Sequence, residues 1–200
     1  MARFSPGSFE RDWYAPTVVE GWLWDDRHYD LFAILGNVRN GFGFAGVQRG
    51  TGFNYISDSR GLPEDASPDL EIEFEEGYYH SNSYVNLPEL LDYDWDQTST
   101  HYGTVQEEQY KVFKEKGKPR SWSGSISGQS VVELTNEQMD ELVARHIAKE
   151  QGITYVTRVS WEEAYKESVA TFYERCIPQL KELSSLPDYS DVRIVFGFDS

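Results

Sequence analysis

The sequence predicts an α+β (or α/β) fold: one domain over residues 1–200, with a small mixed sheet packed against about four helices and long loops. Three observations lead there. Apolar residues recur at helical spacing in several segments. Two runs near the C-terminus are rich in β-branched residues, and helical and extended stretches alternate through the second half. Of the 200 residues 39% are apolar and 15% aromatic, which supplies a sizeable core and excludes a disordered chain, collagen and a coiled coil.

Taken in order, residues 1–26 are aromatic and irregular, with strand-like sequence in the middle of 17–24. In residues 29–39, Leu31, Leu35 and Val38 stand at i, i+4 and i+7, one face of a helix of about three turns. Asn40-Gly41 is a suitable stop, because either residue tolerates the left-handed conformation. Five glycines make 41–52 a loop. Residues 58–69 are turn-forming, and Leu70-Glu-Ile-Glu-Phe74 alternates apolar and acidic as a short strand does. Leu87-Pro88-Glu-Leu-Leu91 reads as one or two helical turns with an early proline.

Thr104-x-x-Glu107 and Thr135-x-x-Gln138 both fit a capping box. The helices they begin should end near Gly117 and Gly152, the second with a stripe of Met139, Leu142, Val143, His146 and Ile147. Between them, 121–129 is a Ser/Gly loop carrying Trp122. Residues 153–159 form a strand by β-branched content. Ser160-x-x-Glu163 then caps a long helix with Ala164, Phe172, Tyr173, Cys176, Ile177 and Leu180, which Pro178 should kink or break near its last turns. Residues 192–196 close the chain as a strand. If the two last strands lie side by side and parallel, their crossover is right-handed.

No apolar run approaches the roughly 18 residues of a membrane span. The start lacks the apolar stretch of a secretory signal. A single cysteine, Cys176, excludes an internal disulfide and fits a reducing compartment.

Charge is uneven. The net charge is −16, and residues 58–96 hold one arginine against twelve acids. The flanking stretches are nearer balance, with five cations against six acids in 1–57 and twelve against sixteen in 97–200. Such a field repels nucleic acid, so no direct nucleic-acid binding is expected. The acidic stretch reads as a solvated loop or, more sharply, as a face that mimics a phosphate backbone toward a basic host protein. Every cation before Lys111 is arginine: Arg3, Arg11, Arg27, Arg39, Arg49 and Arg60. Arginine pairs in forked geometry with carboxylate or phosphate, so specific bonds are expected of these residues, whether to a ligand or to neighbouring acids.

Among motifs, Gly41-Phe-Gly-Phe-Ala-Gly46 spells G-x-G-x-x-G but follows a helix and precedes a loop, the wrong context for a dinucleotide fingerprint. The four histidines make no metal-ligand spacing, and His28 reads as a surface residue. Asp92, Asp94 and Asp96 lack the glycine and distal glutamate of a calcium loop. No metal, cofactor or catalytic set is therefore expected. His80 stands out, because Tyr79-His-Ser-Asn-Ser-Tyr84 gathers small polar groups around one titratable ring; a general acid–base role and a turn-buttressing role both fit.

The block Tyr29-Asp-Leu-Phe-Ala-Ile-Leu-Gly-Asn-Val-Arg-Asn-Gly41 resembles a widespread set of uncharacterised proteins encoded by tailed phages and prophages. Arg60-Gly-Leu-Pro-Glu-Asp-Ala-Ser67, His80-Ser-Asn-Ser83, residues 87–91 and Asp191-Val-Arg-Ile-Val-Phe-Gly-Phe-Asp199 follow in the same order. The family's opening Gly-Cys-Asp-Ile-His segment is missing, and Tyr84 stands where relatives carry Trp. The resemblance implies a phage origin and a role in the host cytoplasm; it carries no established activity.

Three functions follow from these residues. The favoured one is a binding protein, of the kind a phage would use to sequester a host defence signal, whose pocket uses Arg39, Asn40, Arg60, Asp65, His80, Ser81, Ser83 and Asp30 to hold a small anionic, nucleotide-like ligand. In the structural alternative, pairs such as Arg39–Asp65 or Arg60–Asp30 only brace loops. The second function is a protein–protein inhibitor with an acidic, aromatic surface. The third is a phosphodiester or nucleotide hydrolase with His80 as base, oriented by Asp30 or Asp65. Binding is favoured over catalysis, and the oligomeric state is open.

Overall fold

The computed structural model describes residues 2–7, 27–76, 79–145, 152–186 and 191–198. The first elements are β1 (Ala2–Gly7), α1 (Tyr29–Gly36), α2 (Pro68–Glu76), β2 (His80–Asn86) and α3 (Leu87–Asp92). Next come β3 (Thr98–Gln106), α4 (Glu107–Lys116), β4 (Val131–Glu133), α5 (Asn136–Arg145) and β5 (Thr154–Ala164). The chain closes with α6 (Tyr165–Ser168), α7 (Ile177–Ser184) and β6 (Asp191–Phe198). A 3-10 turn lies at Phe44–Gly46 and a π-helical turn at Phe172–Cys176.

This is a small mixed α+β fold, as the sequence predicts. It has two three-stranded sheets rather than one, ordered β1-β6-β2 and β3-β5-β4, and seven described helices rather than about four. The chain divides into two units, each assembled from separate segments: 1–40, 53–97 and 164–200 in the first, 41–52 and 98–163 in the second.

In the first unit β6 is the central strand, antiparallel to both neighbours. Its Ile194 and Phe196 are fully buried with residues 31–35 of α1, Val85, Leu90, Phe172 and Leu180. Removing such surface from water is the main stabilising term, roughly 25 cal/mol per Å². His28 is not merely a surface residue. Its Nδ1 accepts the Leu31 N–H at 3.4 Å, capping α1. The helix stops before Asn40-Gly41, because Asn37 takes the left-handed conformation (φ 57°) and donates its N–H to the Ala33 carbonyl.

Residues 70–74 are helical, correcting the expected strand. Leu70 and Phe74 satisfy both period two and an i, i+4 pair, and here both pack on Val195 while Ile72, between them, is half exposed. The preceding residues decide it: the Ser67 hydroxyl accepts the Leu70 N–H at 3.2 Å, and Pro68 occupies the first turn. The expected early proline of α3 is confirmed.

The second unit is built on β5, parallel to β4. Val105, Tyr110, Met139, Leu142, Val159 and Trp161 form its core. Two expected caps fail and one holds. Thr104 is buried within β3, and α4 begins at Glu107 with no side-chain cap from Gln106. Ser160-x-x-Glu163 stays in β5, because Val159 and Trp161 are buried while Ser160 and Glu162 face out, and alternation at period two overrides the pattern. Thr135 and Gln138 do form the reciprocal box, the Thr135 N–H donating to Gln138 Oε1 at 2.9 Å and the Gln138 N–H to Thr135 Oγ1 at 3.2 Å.

The expected long helix after residue 160 is two short helices joined through the π-helical turn, in which the Ile177 N–H reaches the Phe172 carbonyl. Pro178 stands in the first turn of α7, directly after the π-helical turn, so the α-helical pattern is interrupted just ahead of the proline. Phe172, Cys176, Ile177 and Leu180 are buried as expected. β5 and β6 lie in different sheets, so the predicted crossover unit does not form. The strand expected around 17–24 lies outside the described residues, as do residues 146–151, the last part of the helix expected to end near Gly152, with His146 and Ile147.

Candidate functional site

Residues of four segments singled out above, 60–67, 80–83, 87–91 and 191–198, meet in the first unit at a bulge in β2. His80 pairs with Phe198 and Ser83 with Phe196, so two residues, Ser81 and Asn82, stand opposite Gly197 alone. Ser81 takes φ 53° to make the bulge. Gly197 is required by close approach: a Cβ there would lie 2.5 Å from Asn82 Oδ1 and 2.9 Å from both Phe74 Cε1 and Tyr79 Cβ.

The bulge holds the turn that carries Arg60. Asn82's carbonyl accepts the Gly61 N–H at 3.0 Å and the Ser59 hydroxyl at 2.8 Å, and Ser83 Oγ accepts the Arg60 N–H at 3.0 Å. Ser83 is fully buried, so this bond satisfies an interior hydroxyl. The Arg60 guanidinium then forks onto Glu89, Nη1 to Oε2 at 2.9 Å and Nη2 to Oε1 at 2.5 Å. Glu89 Oε2 also accepts the Asn86 N–H at 2.9 Å, closing the capping box of α3. The hydrogen bonds from Arg60 hold the Glu89 carboxyl below the usual carboxylate range, against the opposing effect of its partial burial.

A second pair lies beside the first. Arg193 of β6 donates to Asp65 Oδ1 at 2.5 Å. Arg60 and Arg193 lie over the same Tyr84 ring, 5.4 and 5.5 Å from its centroid. Arg60 and Asp65 therefore take partners other than the expected Asp30 and Arg39. Glu89, Arg193, Tyr84 and Gly197 complete the arrangement. Asn86-x-x-Glu89 is a legible capping pattern, whereas the 29-residue separation of Arg60 and Glu89 gives no local signal.

The remaining predicted residues are placed differently. His80 is exposed; its Nδ1 lies 3.1 Å from Ser81 Oγ and its ring 6.1 Å from that of Phe198. Asp65, one candidate to orient a His80 base, is engaged by Arg193. Asn40 staples a loop, donating to the Phe53 carbonyl at 2.8 Å and accepting the Phe53 N–H at 2.6 Å. Arg39, at φ 51°, stacks over Tyr29 at 5.2 Å. Asp30 stands half-buried in the first turn of α1. The Asp92–Asp94–Asp96 series also serves local structure: Asp94 Oδ1 accepts the Asp96 N–H at 3.1 Å, and Asp96 pairs with Lys166.

What surrounds this arrangement is carboxylate. Between residues 58 and 96, nine described acidic side chains are exposed, while the stretch's one cation is held by Glu89. Four of them, Asp69, Glu71, Glu75 and Glu76, project from α2 beside the half-exposed Ile72. Compared with known proteins, the chain matches no family model, no curated protein and no solved structure.

Proposed function

We propose that this is a phage-encoded binding protein, active in the host cytoplasm, that engages a basic host protein through its acidic first-unit exterior. The observation that carries the reading is the contrast between nine exposed carboxylates and an internally neutralised Arg60 over residues 58–96. A bidentate ion pair already satisfies the fork an anionic ligand would need, and displacing Glu89 would leave that carboxylate beside an incoming negative charge. Exposed carboxylates have no such cost in meeting lysine and arginine on a partner, and their attraction accelerates encounter. The phage origin is supported by the ordered segments of the resemblance.

The experiment is a pull-down from bacterial host lysate with the full chain and with a variant carrying Glu71→Lys, Glu75→Lys and Glu76→Lys. A basic protein should be retained at low salt, released as the Debye length shrinks, and lost with the charge-reversed variant. Retention of a nucleotide instead, unchanged by charge reversal and abolished by Arg60→Ala in a folded protein, would replace this reading with the anionic-ligand pocket.

A further inference from the structure

The second unit contains a cavity of about 320 Å³ at the start of α4, lined on one side by Gln106, Glu108 and Gln109 and on the other by Ser121, Trp122 and Ser123. Thr104, Val105 and Ile126 complete its wall. The volume lies in the range of small-molecule sites and suits one ring with its substituents.

Both sides are pinned before anything binds. Ser123 exchanges backbone hydrogen bonds with Thr104 at 2.7 and 3.1 Å, tying the loop to β3. Gln109 Oε1 accepts the N–H groups of Arg120 and Ser121 at 3.0 and 3.2 Å, tying the same loop to α4. That commits the oxygen of the amide and leaves Nε2 as its donor. Trp122 is fixed as well. Its ring meets Trp161 edge-on at 5.4 Å, the Arg49 guanidinium lies 4.5 Å from its centroid, and β3 passes so close that a Cβ on Gly103 would stand 3.0 Å from the indole. A site held this way loses little entropy on binding.

The lining selects a chemistry. It contains no lysine or arginine and one carboxylate, Glu108, so a phosphate brought into it would meet a like charge rather than a cation. The Gln106 carboxamide and two serine hydroxyls both donate and accept, the Gln109 amide donates through Nε2, the Glu108 carboxylate accepts, and one indole offers an apolar wall. A pyranose matches that set: alternating hydroxyls for the amides and carboxylate, and a C–H face for the aromatic ring. We infer that this cavity is a binding subsite for a neutral saccharide unit.

The test is a ¹H–¹⁵N NMR titration of the full chain with methyl α-glucoside, N-acetylglucosamine and maltose, and in parallel with adenosine and spermidine. At least one sugar should shift the Trp122 indole and the Gln106 and Gln109 carboxamide signals saturably. Gln106→Ala and Glu108→Gln, both exposed where β3 passes into α4, should each weaken that binding by about tenfold while leaving remote signals in place. Absence of a saturable shift with all three sugars overturns the inference. So does preferential binding of adenosine or spermidine, or sugar binding that both variants retain.

Discussion

The bulge of the first unit and the cavity of the second are built by the same device and put to opposite use. Each depends on a glycine where another group presses against the strand, Gly197 under Asn82 and Gly103 under Trp122. At the bulge the polar groups close on one another: Arg60 forks onto Glu89, Arg193 donates to Asp65, and both guanidiniums lie over one tyrosine ring. At the cavity all but Glu108 are neutral, and the bonds of Gln109 and Ser123 fix the walls in place without closing their side chains on one another. Prominence in sequence is thus a poor guide to availability. Arginine and histidine beside turns draw attention because they are costly to place, and that same cost makes them find partners within the fold.

The largest effect should come from the two glycines. Gly197→Ala forces a methyl group to 2.5 Å from Asn82 Oδ1 and 2.9 Å from both Phe74 Cε1 and Tyr79 Cβ, three contacts under 3 Å at once, and should cost about 3 kcal/mol. Gly103→Ala first meets the Trp122 side chain, at 3.0 Å, and should cost about 1 kcal/mol while displacing the indole from the cavity. Cys176 reports the first unit separately. It is buried, and desolvation pushes its thiol up to about 11, so it should resist alkylation at neutral pH until that unit opens. Urea titration followed by Cys176 alkylation should therefore shift strongly for Gly197→Ala and little for Gly103→Ala. The reverse order would show that the bulge yields more easily than the cavity wall.

A middle-sized effect tests whether the bulge's charges are structural. The Arg60–Glu89 pair is partly exposed, with about a third of each side chain in solvent, so its forked geometry should contribute only about 1 kcal/mol. Its pH dependence has a definite sign. The folded-state pKa of Glu89 is lowered, so the contribution is present in full above the unfolded pKa, near 4.5, and disappears as pH falls through the lowered value. Glu89→Gln should flatten that part of the acid-unfolding curve, and a double-mutant cycle with Arg60→Ala should give a coupling of the same size. Zero coupling would separate Arg60 from bracing and return it to the candidates for ligand contact.

What could be read from the sequence was whatever depends on neighbours within a turn or two. The α1 stripe, the early proline of α3, the Thr135 box and the buried face of 172–180 are local, and all are present. Residues 70–74 were ambiguous because Leu70 and Phe74 fit both periods, and Ser67 with Pro68 supplied the missing discriminator. At Ser160-x-x-Glu163 a capping pattern competed with Val159 and Trp161, whose burial on one face of β5 is tertiary. Of the candidate site, the segments were legible and their convergence was not: Arg60 meets Glu89 across 29 residues and Asp65 meets Arg193 across 128. The cavity gave still less signal, since serine and glutamine beside one tryptophan look like an ordinary loop until strand β3 brings Thr104 to Ser123.

The smallest effect separates two identical-looking caps. Thr135 Oγ1 accepts the Gln138 N–H, so Thr135→Ala should expose that amide and cost about 0.5–1 kcal/mol, the low end of cap deletions because the site is solvated. Thr104 sits inside β3, and the first turn of α4 takes nothing from it. Amide hydrogen exchange should therefore speed several-fold at Gln138 in Thr135→Ala and stay unchanged through the first turn of α4 in Thr104→Ala, whatever the latter does to β3. Faster exchange at Glu108 in Thr104→Ala would mean that the threonine reaches the helix after all, and that α4, with the cavity side it carries, is held by a cap rather than by Gln109 and the loop it grips.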